Sequence, residues 1–306
     1  MAKQKSIQRI WRPQKSGLVV PDGTVSDLFL SLSESYLQIK DKALAVKSLY
    51  AESKVPLPPT SDLAQLLTDA TALSDAWLTG QEDRLSMPIL FRVAHANRIA
   101  DALLSIHMLP HRHVFLNALA SGSLDLLDRK KSMAKDYLWE LELWSILKRS
   151  SFDAMLEEPP DIVVRFDDCR IGIACKKIYS ERHVQNVLSQ AVAQIEGTFD
   201  YGIVAVNIDD LVPQNQILRA PTMEAMGQYI SNLNARFVKS HERHFRKYLS
   251  SERLIAAFIS TSLLADVYQA RIRFNNARQS TIWSLPKLSP DKKQIVRRFY
   301  DGLMGQ

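Results

Sequence analysis

Eight consecutive residues, Tyr201–Ile208 (YGIVAVNI), place the tightest limit on how this 306-residue chain can fold. The run is nearly all apolar and rich in β-branched side chains, so it favours an extended strand and offers no solvent face. Such a strand has to be covered on both sides, which is the situation of a sheet sandwiched between helices. The residues before it agree with that reading. Ser132–Arg149 has helical apolar spacing, and three short strand-like runs follow at Phe152–Leu156, Asp161–Phe166 and Arg170–Ile178. Glu-Glu-Pro-Pro and the turn Asp167-Asp168 separate them, and Ser180 can cap a helix reaching about Glu196. The order helix, three strands, helix, strand predicts an α/β sandwich with a mixed central sheet whose middle strands carry the chemistry.

The flanking regions read differently. Apolar residues recur at helical spacing over 26–54, including Leu28, Leu32, Tyr36, Leu37 and Leu44, until KVPLPPTSD breaks the pattern. Thr60 or Ser61 can cap a second helix over 62–78, and Leu85–Leu109 forms a third stretch ended by Pro110. Residues 1–130 are therefore expected to be a helical N-terminal domain without strands, and 131–306 the α/β domain with a basic C-terminal extension. In that extension the pattern predicts a helix over 222–249, strands over 253–260, 266–274 and 280–285, and a closing helix over 289–303.

Composition excludes several classes. With 46% hydrophobic residues and ten glycines, the chain can bury a core and is neither fibrous nor low-complexity. No apolar run reaches the roughly 18 residues that span a bilayer, and MAKQKSIQRIWRPQKSG lacks the apolar segment of a secretory signal, so the expectation is a cytoplasmic protein with no membrane partner. Cys169 and Cys175 share one strand-like stretch, where they cannot bond to each other and have no second pair to complete a zinc site. From residue 220 onward there are fourteen Lys and Arg against six Asp and Glu, although the whole chain carries only +6. That places the basic surface in the C-terminal third, as suits a phosphate-rich partner, with Arg243, Arg246 and Lys247 its densest cluster.

Cutting a phosphodiester near neutral pH takes a divalent cation held by hard oxygen ligands, a positioned water, and a cation to offset charge developing on the phosphoryl oxygens. An economical layout puts an Asp at the start of one strand, an acid and a Lys two apart on its neighbour, and a Glu on the preceding helix. The spacing of two keeps acid and Lys on one strand face. This chain has Glu140-Leu-Glu142 on the helix, Pro160-Asp161 opening the second strand, and Ala174-Cys175-Lys176 on the third.

The run WELELWSILKRSSFDAMLEEPPDIVVRFDDCRIGIACKKIYS resembles the PD-(D/E)xK nuclease superfamily, which includes Mrr-like restriction nucleases and many prokaryotic defence effectors. The likeness covers a quarter of the chain, from about 132 to 208. It implies that Asp161 is the PD aspartate, Lys176 the motif lysine, and Glu140 or Glu142 the helix carboxylate, with Mg²⁺ or Mn²⁺ as cofactor. It also makes Gln185, Gln190 and Gln194 similar to glutamines that position substrate in some members, with Lys177 a further nucleic-acid contact beside Lys176. Ala174 departs from the pattern, because it stands where the metal-binding acid is expected. The acid has been replaced deliberately, has moved (to Glu140, Glu142 or Asp168), or has been lost together with catalysis. The implied function is a metal-dependent nuclease, a DNA endonuclease of restriction or defence type in preference to one acting on RNA. Its rival is a non-catalytic nucleic-acid-binding or assembly subunit, and the helical N-terminal domain is the expected surface for a protein partner or a second copy.

Two histidine groups rank lower. His107, His111 and His113 surround Pro110 without an acidic or thiol ligand close in sequence, so a helix-ending loop explains them. Arg236-x4-His241 matches the short Arg-x4-His pattern of HEPN-type ribonucleases, but a solvated or phosphate-contacting helix face carrying His241 and His244 accounts for it as well. Neither a Walker-type loop, a nucleophile elbow nor a dinucleotide fingerprint is present.

Overall fold

A computed structural model describes residues 36–81, 95–166, 169–213, 217–251, 253–269, 274–285 and 287–303, with residue 89 and the short segments 11–13, 19–21 and 92–93. In chain order the elements are β1 (Trp11–Pro13), β2 (Val19–Pro21), α1 (Tyr36–Glu52), α2 (Asp62–Leu78), α3 (Ala96–Ser105), α4 (Arg112–Ser121), α5 (Met133–Arg149), β3 (Asp153–Leu156), β4 (Ile162–Phe166) and β5 (Cys169–Lys177). They continue with α6 (Val184–Ile195), β6 (Tyr201–Asn207), β7 (Leu218–Ala220), α7 (Met223–Ser250), β8 (Ala256–Val267), β9 (Phe274–Trp283) and α8 (Pro290–Leu303). Single 3₁₀ turns at Glu181–His183 and Asp209–Leu211 precede α6 and follow β6.

Seven strands form one mixed sheet. β3, β4 and β5 make an antiparallel meander, β5 pairs parallel with β6, and β6 pairs parallel with the first half of β8. β9 closes the far side of β8 antiparallel, and β7 pairs with the distal end of β8. The pleat explains the apolar run that singled out β6. Ile203 and Ala205 enter a core cluster shared with α1–α5 and α8, while Val204 and Val206 enter a second cluster under α6 and α7. β5 divides likewise, with Ile171, Ile173 and Cys175 on the first face and Ala174 on the second.

The first cluster runs from Ile39 to Tyr300, so apolar residues on either side of position 130 pack in a common core. α5 is fixed within it by two indole hydrogen bonds: Trp139 Nε1 donates to the Ala205 carbonyl at 3.2 Å and Trp144 Nε1 to that of Ala154 at 3.1 Å. Of the two capping candidates for α2, Ser61 fills the role, its Oγ accepting from Ala64 N at 3.2 Å. Thr222 caps α7 in the same way at 3.3 Å.

Several sequence readings need correction. Residues 1–130 are not free of strands, since β1 and β2 pair antiparallel; at three residues each, with Pro13 and Pro21 at their ends, they carry too little alternation to announce themselves. α4 starts two residues after Pro110, where the sequence suggests a loop. The strand expected over 253–260 runs instead over Ala256–Val267. Among its described residues, the run expected over 266–274 covers only the end of β8, a turn at 268–269 and the first residue of β9, and the run expected over 280–285 is the end of β9, which begins at Phe274. The first part of the 26–54 helix, the N-terminal portion of the 85–109 stretch and the turn residues Asp167 and Asp168 lie outside the described residues. None of the described helices is long and apolar enough to cross a membrane.

Candidate functional site

Asp161 precedes β4 by one residue and faces the end of β5. Register fixes this arrangement: Ile162 pairs with Ile173, and Asp161 N donates to the Ile173 carbonyl at 3.3 Å, bringing Asp161 alongside Ala174. The carboxylate is buried, and three donors converge on it. Cys175 N–H donates to Oδ2 at 2.5 Å, Lys176 Nζ reaches the same oxygen at 3.4 Å, and Gln194 Nε2 from α6 reaches Oδ1 at 3.4 Å. Lys176 is only half-buried, its side chain 19% exposed.

Glu140 comes to the same place from α5. Burial, and next the Asp161 carboxylate, raise its proton affinity well above the ordinary glutamate value, while Lys176 opposes the shift. Asp161 is raised as well, by burial, against the lowering effect of Lys176 and the Cys175 N–H. Burial likewise pushes the Cys175 thiol up. Two carboxylates and one lysine thus share a half-enclosed corner with less positive charge than the two acids call for. One turn before Glu140, the half-buried Asp136 accepts from Tyr179 Oη at 2.9 Å.

The other predicted residues disperse. Two positions along a helix rotate a side chain by about 200°, so Glu142 points away from Glu140. It is 3% exposed and held by Arg98 through both Nε and Nη2 and by Arg278 Nη2 at 2.6 Å. Arg98 in turn pairs with Asp209 at 2.6 Å. Burial opposes the charged forms of both members of that pair, yet mutual attraction prevails: Arg98 is held above and Asp209 below its ordinary value. Next to them burial lowers His95 to about 4, leaving a neutral ring.

Lys177 is also corrected. The pleat sends it to the face opposite Lys176, where it is buried and pairs with Asp210 at 2.6 Å and Asn207 Oδ1 at 2.8 Å, out of reach of a nucleic acid. Gln185 and Gln190 are exposed on α6, and among the three glutamines Gln194 alone reaches Asp161. Arg243 and Lys247 are exposed on α7, Lys247 over the Tyr248 ring, whereas Arg246 pairs with Glu242 one turn back at 2.5 Å. Ala174 is fully buried in the cluster under α6.

His107 and His111, before α4, and His113, in its first turn, are exposed. His241 lies at a kink in α7, where it meets Glu181 at 3.0 Å and packs on the Phe237 ring, while Arg236 is exposed. Sequence reasoning missed Arg98, Asp209 and Arg278. A charged Glu142 embedded in the apolar run Leu141–Leu147 was the one local sign that a buried cation had to meet it.

Comparison of the chain with known protein families, with curated proteins and with solved structures finds no match.

Proposed function

We propose that the chain is a metal-dependent nuclease of restriction or defence type acting on DNA, with Asp161 and Glu140 as its acids and Lys176 as its cation. The observation that carries this reading is the convergence on Asp161 of Cys175 N–H, Lys176 and Gln194, with the Glu140 carboxylate in the same corner. It matches the Asp, Lys and helix carboxylate that the PD-(D/E)xK resemblance implies, without the strand acid whose place Ala174 takes.

Among the described residues no group of three or more His, Cys, Asp and Glu is arranged to hold a metal ion. Two carboxylates nevertheless suit Mg²⁺ or Mn²⁺, which keep several waters and are completed by substrate phosphate. The raised proton affinities of Glu140 and Asp161 point the same way, since a divalent cation supplies the positive charge this corner lacks. When bound, it would lower the pKa of a water and polarise the phosphoryl oxygen. The chain's own residues do the rest. Cys175 N–H and Gln194 hold the Asp161 carboxylate in one orientation, and Lys176, half-buried beside it, can meet charge developing on the scissile phosphate.

The rival reading, a nucleic-acid-binding or assembly subunit, is favoured by one observation: Ala174 is fully buried among apolar neighbours and contributes no oxygen. Incubating supercoiled and linear DNA with Mn²⁺ or Mg²⁺ separates the two. Cleavage by the wild-type chain that Asp161→Ala and Glu140→Gln both abolish supports an enzyme whose acid has moved to α5. Cleavage only after Ala174→Glu means the ancestral position is still required. DNA binding without cleavage by any of these proteins favours the subunit.

A further inference from the structure

α6 and α7 cover the same face of the sheet, where Leu188, Val192 and Ile195 of α6 share a core cluster with Phe237, Val238 and Phe245 of α7. Their outward sides therefore form one surface, and two contacts fix its position relative to Asp161. At one end of α6, Gln194 reaches the Asp161 carboxylate at 3.4 Å. Just before the other end, Glu181 meets His241 of α7 at 3.0 Å.

The outer side of a surface helix is ordinarily where charged residues collect. α6 has no charged residue in its twelve positions, and its exposed polar side chains are Gln185, Asn186, Ser189 and Gln190. Gln190 and Asn186 follow Gln194 at intervals of four, so they continue its row along the helix, away from Asp161. Amides and hydroxyls bond phosphate and sugar oxygens, and this row sets no carboxylate in the way of a polyanion.

α7 supplies cations at the far end of the row. Arg236, Lys239, Arg243 and Lys247 are exposed and recur at intervals of three or four, which aligns them over about 17 Å with His241 midway. Among the described residues none of the four is paired with a carboxylate, unlike Arg246, which is held by Glu242. The apolar side of α7 is buried against the sheet, so the helix has none to insert into a bilayer. Among the described residues Tyr229 is the one large aromatic side chain exposed on either helix, whereas a single-strand groove offers unpaired bases several rings.

We infer that the outer surface of α6 and α7 docks the backbone of duplex DNA, which runs from the Asp161 corner along the uncharged row of α6 to the cations of α7. The twelve residues of α6 span about 18 Å, so the cationic grip lies about five base pairs to one side of the corner. The inference rests on the nuclease reading only in placing the cut at Asp161.

Fluorescence anisotropy tests it, with the full chain and a duplex of about 20 base pairs in chelator, so that nothing is cut. Arg236→Gln combined with Arg243→Gln should flatten the salt dependence by about 1.8, two phosphates at roughly 0.9 each. Lys293→Gln combined with Arg297→Gln takes as much charge from the exposed side of α8, on the other face of the sheet, and should leave the slope unchanged. Gln190→Glu should weaken binding severalfold, and Gln294→Glu on α8 should not. Equal effects from the α8 variants would mark diffuse attraction and overturn the inference. It is overturned too by absence of binding, by equal or tighter binding of a single strand of the same length, or by tighter binding to phosphatidylserine vesicles. Cleavage with Mn²⁺ reads the nuclease proposal separately. A chain that binds in this way but never cuts keeps the docking face and loses the enzyme; one that cuts while indifferent to these substitutions keeps the enzyme and loses the face.

Discussion

Glu140 and Glu142 stand two residues apart on α5, yet the structure gives them opposite energetic roles, and replacing each with Gln separates them. Glu142 is the shared counter-ion of two buried guanidiniums, accepting from Arg98 twice and from Arg278 once. Glu142→Gln keeps the shape but removes the charge, leaving Arg278 without this carboxylate and Arg98 with Asp209. Breaking a buried ion pair from one side costs about 3–5 kcal/mol. At roughly 2 °C per kcal/mol for a chain of this length, the midpoint of thermal unfolding should fall by about 6–10 °C. Glu140 is a charge the fold holds under strain, with burial and Asp161 working against its ionised form. Glu140→Gln should therefore leave the metal-free midpoint at pH 7.5 unchanged or higher. Calorimetry or circular dichroism on the two variants in a chelator-containing buffer reads both numbers. Equal losses for the two substitutions, or a Glu142→Gln cost below about 1 kcal/mol, the scale of an exposed pair, would refute the assignment of one glutamate to structure and the other to the site.

The pH dependence follows in sign. Because the folded-state pKa of both Glu140 and Asp161 is raised, their contribution to stability is full below the ordinary carboxyl range and is lost as pH rises through the raised values. Glu140→Gln should flatten that decline, and Mn²⁺ should stabilise the wild type at pH 7.5 more than the variant. Lys177→Met should destabilise the fold, by leaving Asp210 buried without its partner, while the salt dependence of DNA binding stays as it was. Neutralising Arg243, Arg246 and Lys247 together should reduce that salt slope by about 0.9 for each DNA phosphate left unneutralised, and an unchanged slope would make this stretch of α7 a solvated face only. Gly202→Ala should cost about 1–3 kcal/mol, as overpacking does, because the new methyl would sit 2.9 Å from the Arg253 carbonyl oxygen, which cannot rotate away.

What could be read in the sequence was mostly local. The apolar period of α5, the meander of β3–β5 and the buried strand β6 all appear within a residue or two of where patterning puts them, because each is decided by contacts its own side chains must make. The choice of Lys176 over Lys177 as the neighbour of Asp161 was legible too, since strand alternation fixes which of two adjacent lysines faces the carboxylate, whereas the choice between Glu140 and Glu142 was not. The Arg98–Glu142–Asp209–Arg278 network was not. Its partners lie 44, 111 and 136 positions apart, and nothing in any one segment announces the others. α4 was hidden for a different reason: Pro110 and three histidines read as loop, and a ten-residue helix that starts directly afterwards has little room to establish a period.

The pleat of β5 has a further consequence for mutation and descent. Lys176 and Lys177 are neighbours in sequence but serve different faces, one beside Asp161 and the other locked to Asp210. A single-residue insertion or deletion between Ile171 and Lys176 would exchange their faces, presenting Lys177 to the carboxylate and stranding Asp210 without a counter-ion. Point substitutions in this strand can be tolerated one face at a time, whereas a change of length strikes both at once. Among relatives of this chain, Ile171–Lys177 should vary in residue type while staying constant in length.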